Sequence, residues 1–177
     1  MTRSERSTNF VRLALIGGLA GGAAEVLWVL FYSGLSEVNA VVVAREVTAS
    51  LWPAAATWSI APLLGVATHM VLALALAALC APVLLRIAVK HEAPAAIMVA
   101  AGGALAAVWA VNFFLVLPLL NPAFIALMPY PATLVSKMLF GVAMAAVVRQ
   151  AMLPAATHAH GASCDSTAAP ELWRLPR

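Results

Sequence analysis

Apolar residues occupy long blocks of this chain, and short polar segments separate one block from the next. An α-helix needs ~20 mainly apolar residues to cross a bilayer. We therefore predict four membrane spans, at about residues 13–32, 61–85, 95–117 and 131–148. Residues 1–149 are expected to form one all-α domain, a transmembrane four-helix bundle. Residues 150–177, rich in Ala, Ser, Thr and Pro, are expected to be a disordered cytoplasmic tail.

The boundary between the third and fourth spans is set by helix-breaking residues. No charged residue occurs from Ala93 to Ser136, and this run is too long for a single crossing. Proline and asparagine are typical of breaks between helices. We expect the third span to end near Leu117 because the residues that follow include Pro118, Asn121, Pro122, Pro129 and Pro131.

The segment between the first two spans, SEVNAVVVAREVTASLWPAAATW, is amphipathic rather than apolar throughout. Val38, Val41 and Val42 fall on one face of a helix, together with the aliphatic stem of Arg45. Tryptophan prefers the headgroup level of a membrane, and the segment contains Trp52 and Trp58. We predict an interfacial helix that lies on the membrane surface.

Composition and charge agree with a multi-pass membrane protein. Of the residues, 64% are hydrophobic and 10% are charged, whereas ~25% are charged in ordinary soluble domains. The basic residues form no patch of the kind that binds nucleic acid. Lys and Arg at cytoplasmic span ends orient membrane proteins. Eight of them fall on one side of the predicted topology and only Arg45 on the other. We expect a bacterial-type inner membrane and cytoplasmic termini.

The two halves of the bundle are similar in sequence. Gly21–Tyr32 and Gly102–Phe113 match at four of twelve positions, which include Trp28 and Trp109. Thr68–Leu79 and Ser136–Val147 also match at four of twelve, with His69 opposite Lys137. These matches predict two duplicated helical hairpins, related by an axis along the membrane normal.

Three short motifs suggest a family. They are GVATHM (Gly65–Met70), GGALAAVW (Gly102–Trp109) and LVSKMLFG (Leu134–Gly141). In these motifs and in its four-span layout, the chain resembles the YagU-like small inner-membrane proteins. The resemblance implies the four-span fold and no particular reaction.

Each predicted span contains one strongly polar residue: Glu25, His69, Asn112 or Lys137. A Lys or Asp at a helix centre costs ~2.5–3.5 kcal/mol on insertion scales. These four residues are therefore our candidate intramembrane polar cluster. They either pair with one another to join the helices, or they form a pathway for protons, ions or a small solute.

Small residues predict where the helices approach one another closely. Glu25 shares a helical face with three glycines, and His69 and Lys137 each have a glycine four residues away. Two GxxxG pairs in the first span are compatible with packing inside the bundle or with dimerisation. The expected helix-packing glycines are Gly17, Gly18, Gly21, Gly22, Gly65, Gly102, Gly103 and Gly141.

The sequence contains no nucleophile motif, carboxylate pair or phosphate-binding loop, so we expect no catalytic activity. We also expect no cofactor and no metal site. Beside the lipid bilayer, the expected partners are further copies of the chain or a larger membrane complex. The first functional hypothesis is thus a non-catalytic component of such an assembly. The alternative is a proton- or ion-coupled transporter or channel that uses Glu25, His69 and Lys137.

Overall fold

The computed structural model describes residues 3–90 and 94–152. All elements in these two ranges are helical. In chain order they are α1 (Arg3–Leu35), α2 (Ala40–Leu51), a 3-10 helix (Pro53–Thr57), α3 (Ala61–Lys90), α4 (Pro94–Val111), a π turn (Asn112–Val116), α5 (Leu117–Leu120), α6 (Pro122–Leu127) and α7 (Tyr130–Met152).

Four helical stretches are long and apolar enough to cross a membrane, and the ranges described contain no strand. The predicted all-α four-helix bundle is therefore confirmed. Each span extends beyond the predicted bounds by a few residues, and α7 continues into the predicted tail as far as Met152. The rest of that tail lies outside the described residues. The stretches are Phe10–Leu35, Ala61–Ile87, Ala95–Leu120 and Tyr130–Ala151.

The bundle core lies where α1, α3, α4 and α7 meet. Three alanines of α3, at 73, 77 and 81, are buried there and allow the neighbouring helices to come close. Larger side chains fill the remaining volume, and the most buried of them are Leu84, Leu105, Phe140, Met144 and Val148. The helices of each predicted hairpin, α1 with α3 and α4 with α7, are in contact, as are the two hairpins.

The glycines of α1 give this helix two packing faces. A Cβ on Gly17 would lie 2.7 Å from Met144 Sδ, and one on Gly21 would lie 2.6 Å from Phe140 Cδ2, both in α7. A Cβ on Gly18 or Gly22 would instead meet α3, at 2.8 Å from Leu74 Cα or 2.9 Å from Ala73 Cβ. The two GxxxG pairs of α1 therefore pack inside the bundle, one against each neighbouring helix.

The remaining predicted packing glycines differ in how closely other helices approach them. A Cβ on Gly65 would overlap the carbonyl group of Ala44, so this glycine lies directly against α2. Gly141 is in ordinary contact with the backbone of α4, and Gly102 has only Met138 Sδ nearby, at 3.9 Å. Gly103 does not pack on another helix in the described part of the chain, because it is exposed and has no described neighbour within 4 Å of its Cβ position. The reason is its place on the outward face of α4.

The segment between the first and second spans forms the predicted helix, α2. Side-chain hydrogen bonds attach this helix to neighbouring parts of the protein. Thr48 is buried and its hydroxyl donates a hydrogen bond to the carbonyl of Ala61, at 2.6 Å. The side-chain amide of Asn121 donates to Glu46 Oε2 at 2.9 Å and to Ser50 Oγ at 3.1 Å. Val41 and Val42 of α2 are exposed.

The third span continues to Leu120, three residues beyond its predicted end near Leu117, and includes Pro118. The helix widens into the π turn at Asn112–Val116 and continues through α5 to Leu120. A proline inside an α-helix clashes with the carbonyl group four residues before it, and a wider turn relieves this clash. The helix ends at Asn121, whose side chain accepts a hydrogen bond from the amide of Phe124 and caps α6.

We predict opposite effects for alanine at two of the glycines. Gly65→Ala should destabilise the protein by about 1–3 kcal/mol, because the new methyl group would overlap the backbone of α2. Gly103→Ala should be neutral or stabilising by up to ~1 kcal/mol, because alanine favours helix and the space there is open. Thermal unfolding in detergent measures both effects. Equal unfolding midpoints for the two variants would contradict the packing of α2 on α3.

Candidate functional site

Glu25 lies inside the bundle, one turn beyond Gly21 and Gly22 on α1. Only 3% of it is exposed. The glycines bring α3 and α7 close to α1 at this level, so side chains from both helices reach the carboxylate. A buried carboxylate is costly unless it is paired and hydrogen-bonded. The side chains around Glu25 therefore determine whether its buried charge is compensated.

The first partner of Glu25 comes from α7. Lys137 Nζ lies 2.6 Å from Glu25 Oε1, and the two form a direct ion pair. Ser136 Oγ donates a second, longer hydrogen bond to the same oxygen, at 3.4 Å. Because both donors are on α7 and the acceptor is on α1, this ion pair joins the first and fourth spans.

The aromatic ring of Phe140 completes the environment of the lysine. Lys137 Nζ lies 5.8 Å from the ring centroid, a distance typical of a cation–π interaction. The Phe140 ring occupies the space left by the missing side chain of Gly21. A larger residue at position 21 would displace the ring, so Gly21 contributes to positioning the ammonium group beside Glu25.

The second partner of Glu25 comes from α3. His69 Nε2 lies 3.5 Å from Glu25 Oε2. Neither of these two buried atoms has a hydrogen-bond partner in the described part of the chain. The side chains of His69 and Lys137 are 25% and 19% exposed, so each has an edge outside the closed interior around Glu25.

The structure thus brings together three of the four predicted polar residues and leaves Asn112 apart. Asn112 is half-buried at the first position of the π turn, and its side chain forms no hydrogen bond within residues 3–90 and 94–152. Its neighbour in the chain, Phe113, packs against Trp109 of α4 and Tyr130 of α7 in a cluster of aromatic rings. The polar cluster described here consists of Glu25, His69, Ser136 and Lys137.

Sequence reasoning missed Ser136 and Phe140 as members of the site. Ser136 and Phe140 are four residues apart and therefore lie on one face of α7, next to Lys137. This helical spacing could have indicated that both residues lie beside Lys137. A search for the most strongly polar residue of each span does not select a serine or a phenylalanine.

Two tryptophans fix the beginning of α7 near this site. The indole N–H of Trp28 donates to the carbonyl of Ala132 at 2.8 Å. The indole N–H of Trp109 donates to Thr133 Oγ1 at 3.0 Å. The two residues are matched in the predicted repeat, and they reach consecutive positions of α7. Ser136 and Lys137 follow within one turn, so both indoles help to set the position of the cationic side of the cluster.

The described residues bring few potential metal ligands together. They contain no group of three or more His, Cys, Asp and Glu side chains close enough to hold an ion. Glu25 and His69 offer two ligands, whereas stable sites for transition metals use three or four protein ligands. The observed ion pair and hydrogen bond join α1 to α7, and His69 of α3 lies beside them.

We predict that the protein is strongly destabilised when Glu25 loses its ionic partner. Lys137→Met leaves a buried carboxylate uncompensated and should cost about 3–5 kcal/mol. The double variant Glu25→Gln/Lys137→Met should recover most of this loss, because no unpaired charge remains. Lys90→Met, at an exposed position at the end of α3, is the matched control and should change stability by less than about 0.5 kcal/mol. Unfolding in detergent measures all three, and equal losses for the two lysine variants would contradict the prediction.

The chain matches no protein-family model, no curated protein and no solved structure. Its function is therefore inferred from the residues and their geometry.

Proposed function

We propose that this protein is a non-catalytic helical bundle of a bacterial-type inner membrane that assembles with further copies of itself or with a larger membrane complex. Both termini are placed in the cytoplasm in this proposal, because eight of the ten basic residues fall on that side. The proposal includes the relationship to the YagU-like proteins and the position of α2 at the outer membrane surface.

The observation that carries the proposal is the direct contact between Glu25 and Lys137. A solute pathway would keep such groups open to water, whereas here the carboxylate is closed off and bonded to its partner at 2.6 Å. A shallow depression of about 370 Å³ lies elsewhere, at the end of α1, and is lined by residues such as Ser33, Glu37 and Asn39. The ionisable groups in the interior are therefore used to hold helices together.

The outward face of α4 supports assembly. Only 17% of the third span is buried, against 39% of the first and 44% of the fourth. Val99, Gly103 and Ala107 are exposed at intervals of four residues and form one face of this helix. Small residues on a lipid-facing helix allow a second helix to approach closely, which strengthens packing within the bilayer. We assign contact with another subunit to this face.

Disulfide crosslinking tests self-assembly through α4. Cys80 and Cys164 are first replaced by Ala, and one cysteine is then introduced at Gly103. We expect Gly103→Cys to give a covalent dimer when native membranes are treated with a thiol oxidant, which takes up the two electrons released as the disulfide forms. Val71→Cys, exposed on α3 and also lipid-facing, is the matched control and should stay monomeric.

Purification in mild detergent tests the wider proposal. A homo-oligomer should elute at a multiple of 18.4 kDa plus detergent, and a complex should bring a stoichiometric partner with it. A solitary monomer in detergent, together with no crosslink at position 103 in membranes, would overturn the proposal.

A second candidate is proton- or ion-coupled passage of a small solute, which the position of Glu25 between His69 and Lys137 favours. On this hypothesis, reconstituted liposomes should show proton flux that falls at least tenfold in Glu25→Gln, because the carboxylate lies between the other two ionisable groups. Glu37→Gln, at an exposed position beyond α1, is the control and should transport as the unmodified chain does. Equal flux in all three preparations would remove Glu25 from any transport mechanism.

A further inference from the structure

Three arginines lie at the end of the bundle where α1 begins, each within one turn of the end of a membrane-spanning stretch. Arg12 is two residues from the start of the first stretch, whereas Arg86 and Arg149 are one and two residues from the ends of the second and fourth. All three are exposed, and Lys90 adds a further exposed cation one turn beyond Arg86. Long basic side chains at such positions reach the lipid headgroups. We refer to the three arginines as the arginine rim.

The packing of the helices places the arginine rim at one level of the bundle. A Cβ on Gly17 of α1 would meet Met144 of α7, and the two helices run in opposite directions. Arg12 lies five residues before Gly17 and Arg149 lies five residues after Met144, so both have the same height along the bundle. Arg86 lies within about two turns of this height, because α3 is also antiparallel to α1. The arginine rim therefore faces the headgroups of one leaflet.

An exposed apolar stripe runs along the helix from each arginine. Residues three, four or seven positions apart lie on one helical face. The exposed residues at these spacings are Leu15, Ile16 and Leu19 for Arg12, Leu79 and Val83 for Arg86, and Val142 and Ala146 for Arg149. An acyl chain that lies along such a stripe places its phosphate group near the guanidinium, and the aliphatic stem of the arginine contacts the chain. Each stripe with its arginine thus matches the polarity of one phospholipid along its length.

We propose that the arginine rim binds anionic phospholipids, for example phosphatidylglycerol, in the leaflet that it faces. A guanidinium donates two parallel hydrogen bonds to a phosphate group and carries the opposite charge. A zwitterionic lipid also carries a positive group, which the arginine repels, so anionic lipids are preferred. At the opposite end of the bundle, the side chains that the structure describes include two acids, Glu37 and Glu46, which offset the single basic residue Arg45. The preference is therefore confined to one leaflet.

This inference goes beyond assembly and does not depend on it. Helix α4, whose outward face we assign to another subunit, contains no basic residue. Nucleic acid is a poor alternative partner, because it binds to basic residues clustered on one surface, whereas the arginine rim is distributed over three helices. Inorganic phosphate would contact the guanidinium groups and leave the apolar stripes unused. A phospholipid uses both features.

Spin-labelled lipids measure the preference in phosphatidylcholine proteoliposomes that contain the full chain. Electron paramagnetic resonance distinguishes labelled lipids bound at the protein surface from those in the bulk bilayer. At low ionic strength we expect phosphatidylglycerol to bind at least about three times more strongly than phosphatidylcholine. About 1 M NaCl should remove the difference, because salt screens charges at the membrane surface. Equal binding of the two lipids at low ionic strength, or a preference that the salt leaves unchanged, would overturn the proposal.

Substitutions then test the arginine rim itself. The triple variant Arg12→Gln/Arg86→Gln/Arg149→Gln should bring the two lipids to within about 1.5-fold of each other, because it removes all three guanidinium groups. Lysine at the same three positions should retain most of the preference. Arg149→Gln alone should lower it, whereas Arg45→Gln, the matched control, removes one exposed arginine at the opposite end and should leave it unchanged. An undiminished preference in the triple variant, or equal losses in the two single variants, would contradict the proposal, whatever the oligomeric state.

Discussion

The buried carboxylate of Glu25 is the constraint on which the arrangement of three spanning helices depends. A negative charge in the low-dielectric interior of a membrane protein must be compensated by charges or donors that are held close to it. Here the compensation comes from Lys137 and Ser136 of α7, and His69 of α3 lies 3.5 Å from the other carboxylate oxygen. The relative rotation of α1, α3 and α7 about their axes is thereby restricted, since each must turn one particular side chain toward the same point.

The glycines of α1 make this arrangement possible sterically. Two of them receive α7 and two receive α3, on adjacent faces of the same helix. Close approach shortens the distance that the Lys137 and His69 side chains have to span. It also makes room for the Phe140 ring against which the ammonium group rests. Steric packing and charge compensation therefore act at the same level of the bundle, and neither is independent of the other.

Helix α4, which forms most of the third span, takes no part in the polar cluster. Helix α4 contributes buried residues such as Leu105 but brings no charge to the cluster, and its outward face is largely uncovered. At the end of the bundle where α1 stops, α2 and α6 cover the helix ends through Thr48 and Asn121. A closed interior combined with an uncovered outer helix is the physical basis for interpreting the protein as an assembly component.

The sequence by itself determined the number of spans, their approximate bounds and the residue types of the polar cluster. These follow from local quantities: the length of an apolar block, the cost of a charge within it and the helical spacing of small residues. Only the tertiary structure decided that Glu25 bonds to Lys137 while facing His69, that Asn112 stays apart, and that Gly65 receives α2 while Gly103 remains open. It also decided that the helix continues past Pro118. Contacts of this kind depend on how each helix is rotated against its neighbours, and that rotation is set by the packing of all the helices together.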